Sequence, residues 1–170
     1  QTETGYIHLS QLVSDALLAT DPASEPVIAS TALAEKSAGL IILSGGARGG
    51  FVGQPAAHGQ RDLALQRLIG LQEVFGDRVY VELQRHGLAS EQDAEPILLE
   101  IADATDVRLV ATNDCHFETE DMYGPHRVLT CIASSERLAS MADNGFTPHH
   151  RFKAAADMVA LFADIPEAVE

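Results

Sequence analysis

The spacing of three short apolar runs constrains this chain most. Leu40 to Leu43 (LIIL), Val79 to Leu83 (VYVEL) and Leu109 to Thr112 (LVAT) are each too short for a lone helix and rich in the residue types that favour strands. Between them lie stretches of helical period. Residues 61 to 75 carry Leu65, Leu68 and Ile69 and stop at Gly76-Asp77, and the segment after Ser90 carries Ile97, Leu98, Ile101 and Ala102. Strand, helix, strand, helix, strand is the order of right-handed crossovers, so the fold class is α/β with a parallel sheet. In such a sheet LIIL reads as a strand buried on both faces.

The flanking segments extend this pattern. Leu9, Leu12, Val13, Ala16 and Leu17 form one apolar helical stripe, ended by residues 20 to 26, and residues 27 to 39 carry a weaker helical signal. Further helices are expected around 123 to 133 and 153 to 162, separated by a polar loop from Ser134 to Arg151. Ser90 with Asp93 resembles a capping box, whereas Pro96 offers a second place for that helix to begin.

The 170 residues make one domain or part of one, and 46% hydrophobic against 21% charged residues suffices for a buried core. A formal charge of -14 disfavours unaided binding to nucleic acid or to an anionic membrane. Arg48, Arg61, Arg67, Arg78, Arg85 and Arg108 are scattered rather than clustered. No apolar run reaches the roughly 18 residues of a membrane span. Cys115 and Cys131 offer no disulfide framework, so a reducing, cytoplasmic setting is expected. The first residue is Gln1 rather than Met, as in a processed product, an excised piece or a fragment.

Ligands in parallel α/β folds sit beyond the carboxyl ends of the strands, which singles out residues 44 to 53, 84 to 87 and 113 to 117. In Asp114-Cys115-His116 an extended backbone turns the carboxylate and the imidazole to one side, a pairing that suits a divalent metal such as Zn²⁺ or Mn²⁺; the same residues also suit a polar loop capping the next helix. Cys115 then points away, as a buried structural thiol, and Cys131 falls on an apolar helix face. Glu82, Gln84 and His86 follow the period of two and either line the same cleft or form a hydrogen-bonded turn at Gly87. The stretch from Gly45 to Gly50 lacks the lysine and serine of a phosphate loop, so a flexible loop without a ligand is the favoured reading. His149-His150-Arg151 reads as a solvated surface.

Five motifs in one order carry a resemblance. GYIHLSQLVSDA at 5 to 16, GLIILSGG at 39 to 46, RVYVELQRHG at 78 to 87, VATNDCHF at 110 to 117 and FKAAADMVALFADIPEA at 152 to 168 together resemble the polymerase and histidinol phosphatase (PHP) domain that begins bacterial DNA polymerase III alpha subunits. The resemblance implies the later portion of an irregular barrel of seven strand-helix units, spanning residues 1 to 170. It also implies that the early barrel strands, with their His-x-His metal motif, and the polymerase palm lie outside this sequence.

Asp114 and His116 match the family's D-x-H metal ligands, whereas Gly46 stands where the family places a cysteine. The resemblance therefore implies an incomplete Zn or Mn site in this piece and Mg in the parent polymerase. The implied role is scaffolding within a nucleotidyltransferase, with the rest of the alpha subunit and other polymerase III subunits as partners. DNA would be reached through the parent enzyme, and no membrane is involved. A stand-alone PHP-type phosphoesterase or 3'-5' exonuclease and a non-catalytic interaction module are the alternatives. A portion of a barrel is also expected to leave strand edges and apolar surface uncovered.

Overall fold

A computed structural model describes residues 2–21, 23–138 and 145–170. Three parallel strands form one sheet in the order β1 (Ile42–Leu43), β2 (Val79–Leu83), β3 (Leu109–Ala111). Ile42 pairs with Val79, and Glu82 with Val110. The crossover between β1 and β2 contains α3 (Gly53–Ala57) and α4 (Arg61–Phe75), and that between β2 and β3 is α5 (Ala89–Thr105). The chain opens with α1 (Glu3–Ala19) and α2 (Ser30–Glu35), and β3 is followed by α6 (Tyr123–Ser134) and α7 (Ala155–Leu161). None of the described helices is long and apolar enough to cross a membrane.

The core lies on one face of the sheet. Val79, Val81 and Leu83 alternate inward along β2 and are buried, while Tyr80 and Glu82 face the other way and are half-buried. Leu68, Leu71 and Phe75 of α4 and Leu98 and Ile101 of α5 cover the inward face together with Val52, and Phe162 and Ile165 join the same cluster. Gly76 then ends α4 at φ 60°, a conformation that glycine adopts without a Cβ clash.

The structure departs from the sequence pattern at three places. The strand within LIIL is not buried on both faces: β1 is an edge strand, and Ile41 and Leu43 are exposed. The glycine-rich stretch after it is not a free loop. Gly50 N–H donates to Gly46 O and Val52 N–H to Ser44 O, and the chain then enters α3. Helix α5 starts at Ala89 rather than at Pro96, which lies inside it, because the Glu91 carboxylate accepts from the Leu88 N–H and holds the first turn. The polar loop expected from 134 to 151 lies partly outside the described residues.

The apolar stripe of α1 is only partly used. Leu12 and Ala16 are buried, whereas Leu9, Val13 and Leu17 are exposed, as are Val128, Leu129 and Ile132 of α6. What seats α1 is a close backbone crossing. A Cβ added at Gly5 would lie 2.1 Å from Gly39 O, and Gly39 itself sits at φ +75°. His8 Nδ1 meets Ala38 O at 3.1 Å, and Lys36 pairs with Asp15 at 2.9 Å. Gly5→Ala is therefore expected to lower stability by about 2 kcal/mol, because backbone must shift to admit the methyl group. Urea unfolding checks this, and an unchanged midpoint would show that the crossing is not a tight one.

Candidate functional site

Parallel pairing brings the carboxyl ends of all three strands to one side. Ser44 follows β1, is fully buried, and accepts from the Glu82 N–H through Oγ at 2.9 Å. Beyond it, Gly46, Arg48, Gln84, His86, Glu91, Asp114 and His150 line a cleft of about 180 Å³. The three loops singled out by the strand order thus meet at one place.

Three side chains interlock at the ends of β2 and β3. Thr112 donates from Oγ1 to Glu82 Oε1 at 2.5 Å, and the Gln84 amide donates to the same oxygen at 3.1 Å and to Thr112 Oγ1 at 3.2 Å. Glu82 and Gln84 share a side, but the Glu82 carboxylate is spent on these partners and does not line the cleft. Gln84 does, lying against Gly46.

His86 is buried and engaged at both ring nitrogens. Nδ1 lies 2.6 Å from Glu91 Oε1, and Nε2 lies 3.2 Å from Asn113 Oδ1. The Asn113 amide is oriented by donating to Arg151 O at 2.9 Å, and its Oδ1 also accepts from Lys153 at 2.6 Å. Both His86 nitrogens therefore face oxygen atoms, and the ring is fixed between Glu91 on one side and Asn113 on the other. Burial pushes the Glu91 carboxyl up. Hydrogen bonds from the His86 ring and backbone, the His86 charge and the Leu88 N–H outweigh this and hold it below its ordinary value.

His150 overturns the solvated-surface reading of 149 to 151. It is 1% exposed, and its ring stacks on His86 at 4.0 Å with an interplanar angle of 18°. Thr147 explains the placement: its hydroxyl donates to His86 O at 2.6 Å, and its N–H donates to His150 Nδ1 at 3.1 Å. Burial first, then the His86 charge, lowers the His150 pKa to about 4, so the ring is neutral near pH 7. His149 beside it is exposed.

Asp114 and His116 converge as an extended segment requires, with Asp114 Oδ1 3.1 Å from His116 Nε2. The segment is held by His150 and Arg151: the His116 N–H donates to His150 O at 2.9 Å, and Phe117 bridges to Arg151 in parallel. Cys115 is exposed, which corrects its reading as a buried thiol; it lies in an irregular stretch with no layer over it. Cys131 is buried. The His116 ring lies 5.6 Å from that of His126, whose pKa is lowered by burial and by His116 and whose Nδ1 is buried without a partner among the described residues.

This donor set does not fit a metal centre. Among the described residues no group of three or more His, Cys, Asp or Glu is disposed to hold an ion. Asp114 and His116 bond to each other, both ring nitrogens of His86 are taken by Glu91 and Asn113, and Gly46 brings no side-chain donor. Thr112, Glu91, Thr147, His150 and Lys153 are the site residues that sequence reasoning missed. Only the register between β2 and β3 places Thr112 beside Gln84, and no local pattern marks a return of residues 147 to 153 to the strand ends.

The PHP domain family matches residues 1–86. The whole chain aligns with the "DNA polymerase III subunit alpha" of Caulobacter vibrioides at 45% identity over 170 residues. Those of Vibrio cholerae and Escherichia coli are 34% identical over 99% and 98% of the chain. The chain spans only 14% to 15% of the length of these relatives. Half of the sequence matches one family, and a parallel α/β sheet gathers its polar strand ends in one cleft: this chain belongs to the PHP domain family.

Proposed function

We propose that residues 1 to 170 are the later portion of a PHP domain within a replicative DNA polymerase III alpha subunit, and that this portion is a scaffold rather than a catalytic centre. The barrel of seven strand-helix units is completed by other parts of the parent chain, which supply partners for the edges of β1 and β3. Nucleotidyl transfer, with Mg, belongs to the parent polymerase. The other polymerase III subunits and DNA are met through that parent, in the cytoplasm.

One observation carries the scaffold reading. Glu82, Gln84, Thr112, His86 and Asn113, the polar side chains at the strand ends, are committed to one another and to Glu91, Lys153 and Arg151. Such a network ties strands together and leaves little capacity for a Zn or Mn ion at Asp114 and His116. Chain incubated with Mn²⁺ or Zn²⁺ and then dialysed is expected to retain well under one ion per molecule. Stoichiometric retention that disappears in Asp114→Ala would replace the scaffold by a metallohydrolase.

A further inference from the structure

The interlock at the strand ends depends on a residue with no side chain. A Cβ built on Gly46 would lie 2.0 Å from Gln84 Oε1 and 2.7 Å from Gln84 Cδ. Both distances are far inside van der Waals contact, and both atoms belong to the amide that reaches across to Glu82 and Thr112. Gly46 takes no positive φ, unlike Gly45 at 80°, so backbone conformation does not demand glycine at this position. The demand is spatial: any side chain at 46 and the bonded amide of Gln84 claim the same volume.

We infer that Gln84 is the internal occupant of the strand-end cleft, and that glycine at position 46 is what admits it. The amide lies where a donor from residue 46 would project, and it engages the Glu82 carboxylate, whose Oε1 accepts from both Thr112 and Gln84. Positions 46 and 84 are thus a coupled pair. With Gly46, the amide plugs the cleft from the β1 side and Glu82 serves as a strand tie. With a side chain at 46, the amide is evicted, its two hydrogen bonds are lost, and Glu82 turns to the cleft with Thr112 as its remaining donor. This inference rests on the metal-free scaffold reading and supplies its structural cause.

The test is a double-substitution cycle in the intact alpha subunit that carries this chain, read by thermal unfolding, with Gly46→Ala, Gln84→Ala and the pair. Gly46→Ala is expected to lower the melting temperature by several degrees, because the methyl group expels the amide. Gln84→Ala is expected to lower it as well, through the lost hydrogen bonds. The pair is expected to melt no lower than Gln84→Ala alone, since the methyl group then enters space already vacated. If Gly46→Ala alone fails to fold, the pair is expected to restore folding.

A second reading follows the Gln84 side-chain amide by NMR. Its protons are expected to exchange slowly in the original chain and rapidly in Gly46→Ala. Strictly additive melting shifts, or an amide that exchanges at the same rate in both proteins, would overturn the coupling while leaving the scaffold reading in place. Stoichiometric retention of Mn²⁺ or Zn²⁺ by the unsubstituted chain would instead remove the scaffold reading itself.

Discussion

Arg85→Ala is expected to lower stability by about 3 kcal/mol, the cost of removing one partner from a half-buried charged cluster. All five guanidinium N–H donors are used. Nε and Nη2 bind the two oxygens of Glu95 at 2.8 and 2.7 Å, and Nη1 and Nη2 bind those of Asp164 at 2.7 and 2.8 Å. Nη1 also donates to Leu161 O at 2.8 Å. The guanidinium lies 4.7 Å from the centre of the Phe162 ring, which is fully buried.

One side chain thus joins the end of β2 to α5 and to the turn after α7. Alanine leaves the Glu95 carboxylate unpaired and uncovers Phe162. Lysine does not rescue the site, since three donors on a point charge cannot bind two carboxylates bidentately. Urea unfolding of both variants measures this, and a loss below about 1 kcal/mol for alanine would mean that the cluster is merely a solvated surface pair. The Arg85 hydrogen bond also holds Asp164 at about 2, below its ordinary value. Asp164 is well exposed, so its share of this stability is small, present above pH 4 and lost as the pH falls towards 2.

Acid is expected to weaken the fold well before the carboxylates titrate. His150 keeps its neutral form down to about pH 4, whereas in the unfolded chain it protonates near 6.5. The unfolded state therefore binds more protons across that interval. The contribution of neutral His150 is complete above pH 6.5 and is lost as the pH falls to 4, at most about 3 kcal/mol. Charging His150 would place a cation in a buried site, stacked on the His86 ring at 4.0 Å, with Glu91 and Asp114 as the nearby anions. Urea midpoints at pH 7 and pH 4.5 measure the loss. In His150→Phe, which keeps an aromatic ring against His86, the difference is expected to shrink by more than half; an equal difference in both proteins would assign the acid sensitivity elsewhere.

Much of the scaffold was legible in the chain. Val79–Leu83 and Arg61–Phe75 appear where β-branched content and helical period place them, and Gly76 stops the helix as expected. Periodicity reports how one element alternates between two environments, and for these two segments the environments differ sharply. LIIL misled because continuous hydrophobicity says that a strand is apolar without saying whether anything covers it. The same holds for α1, whose apolar stripe is correct as a pattern and only partly covered.

At the site, the sequence alone determined that three polar loops follow three parallel strands, and that Asp114 and His116 turn to one side. Only the tertiary structure decided what those loops do when they meet. The Gln84 amide against Gly46, the bonding of Glu82 to Thr112, and the burial of His150 on His86 join residues 38, 30 and 64 positions apart. Contacts of that separation are set by strand register and by the path of a returning loop, and neither leaves a local mark on the chain. The physical reason is that a hydrogen bond or a stacked ring depends on distances of a few tenths of an ångström between distant residues, which short-range spacing does not encode.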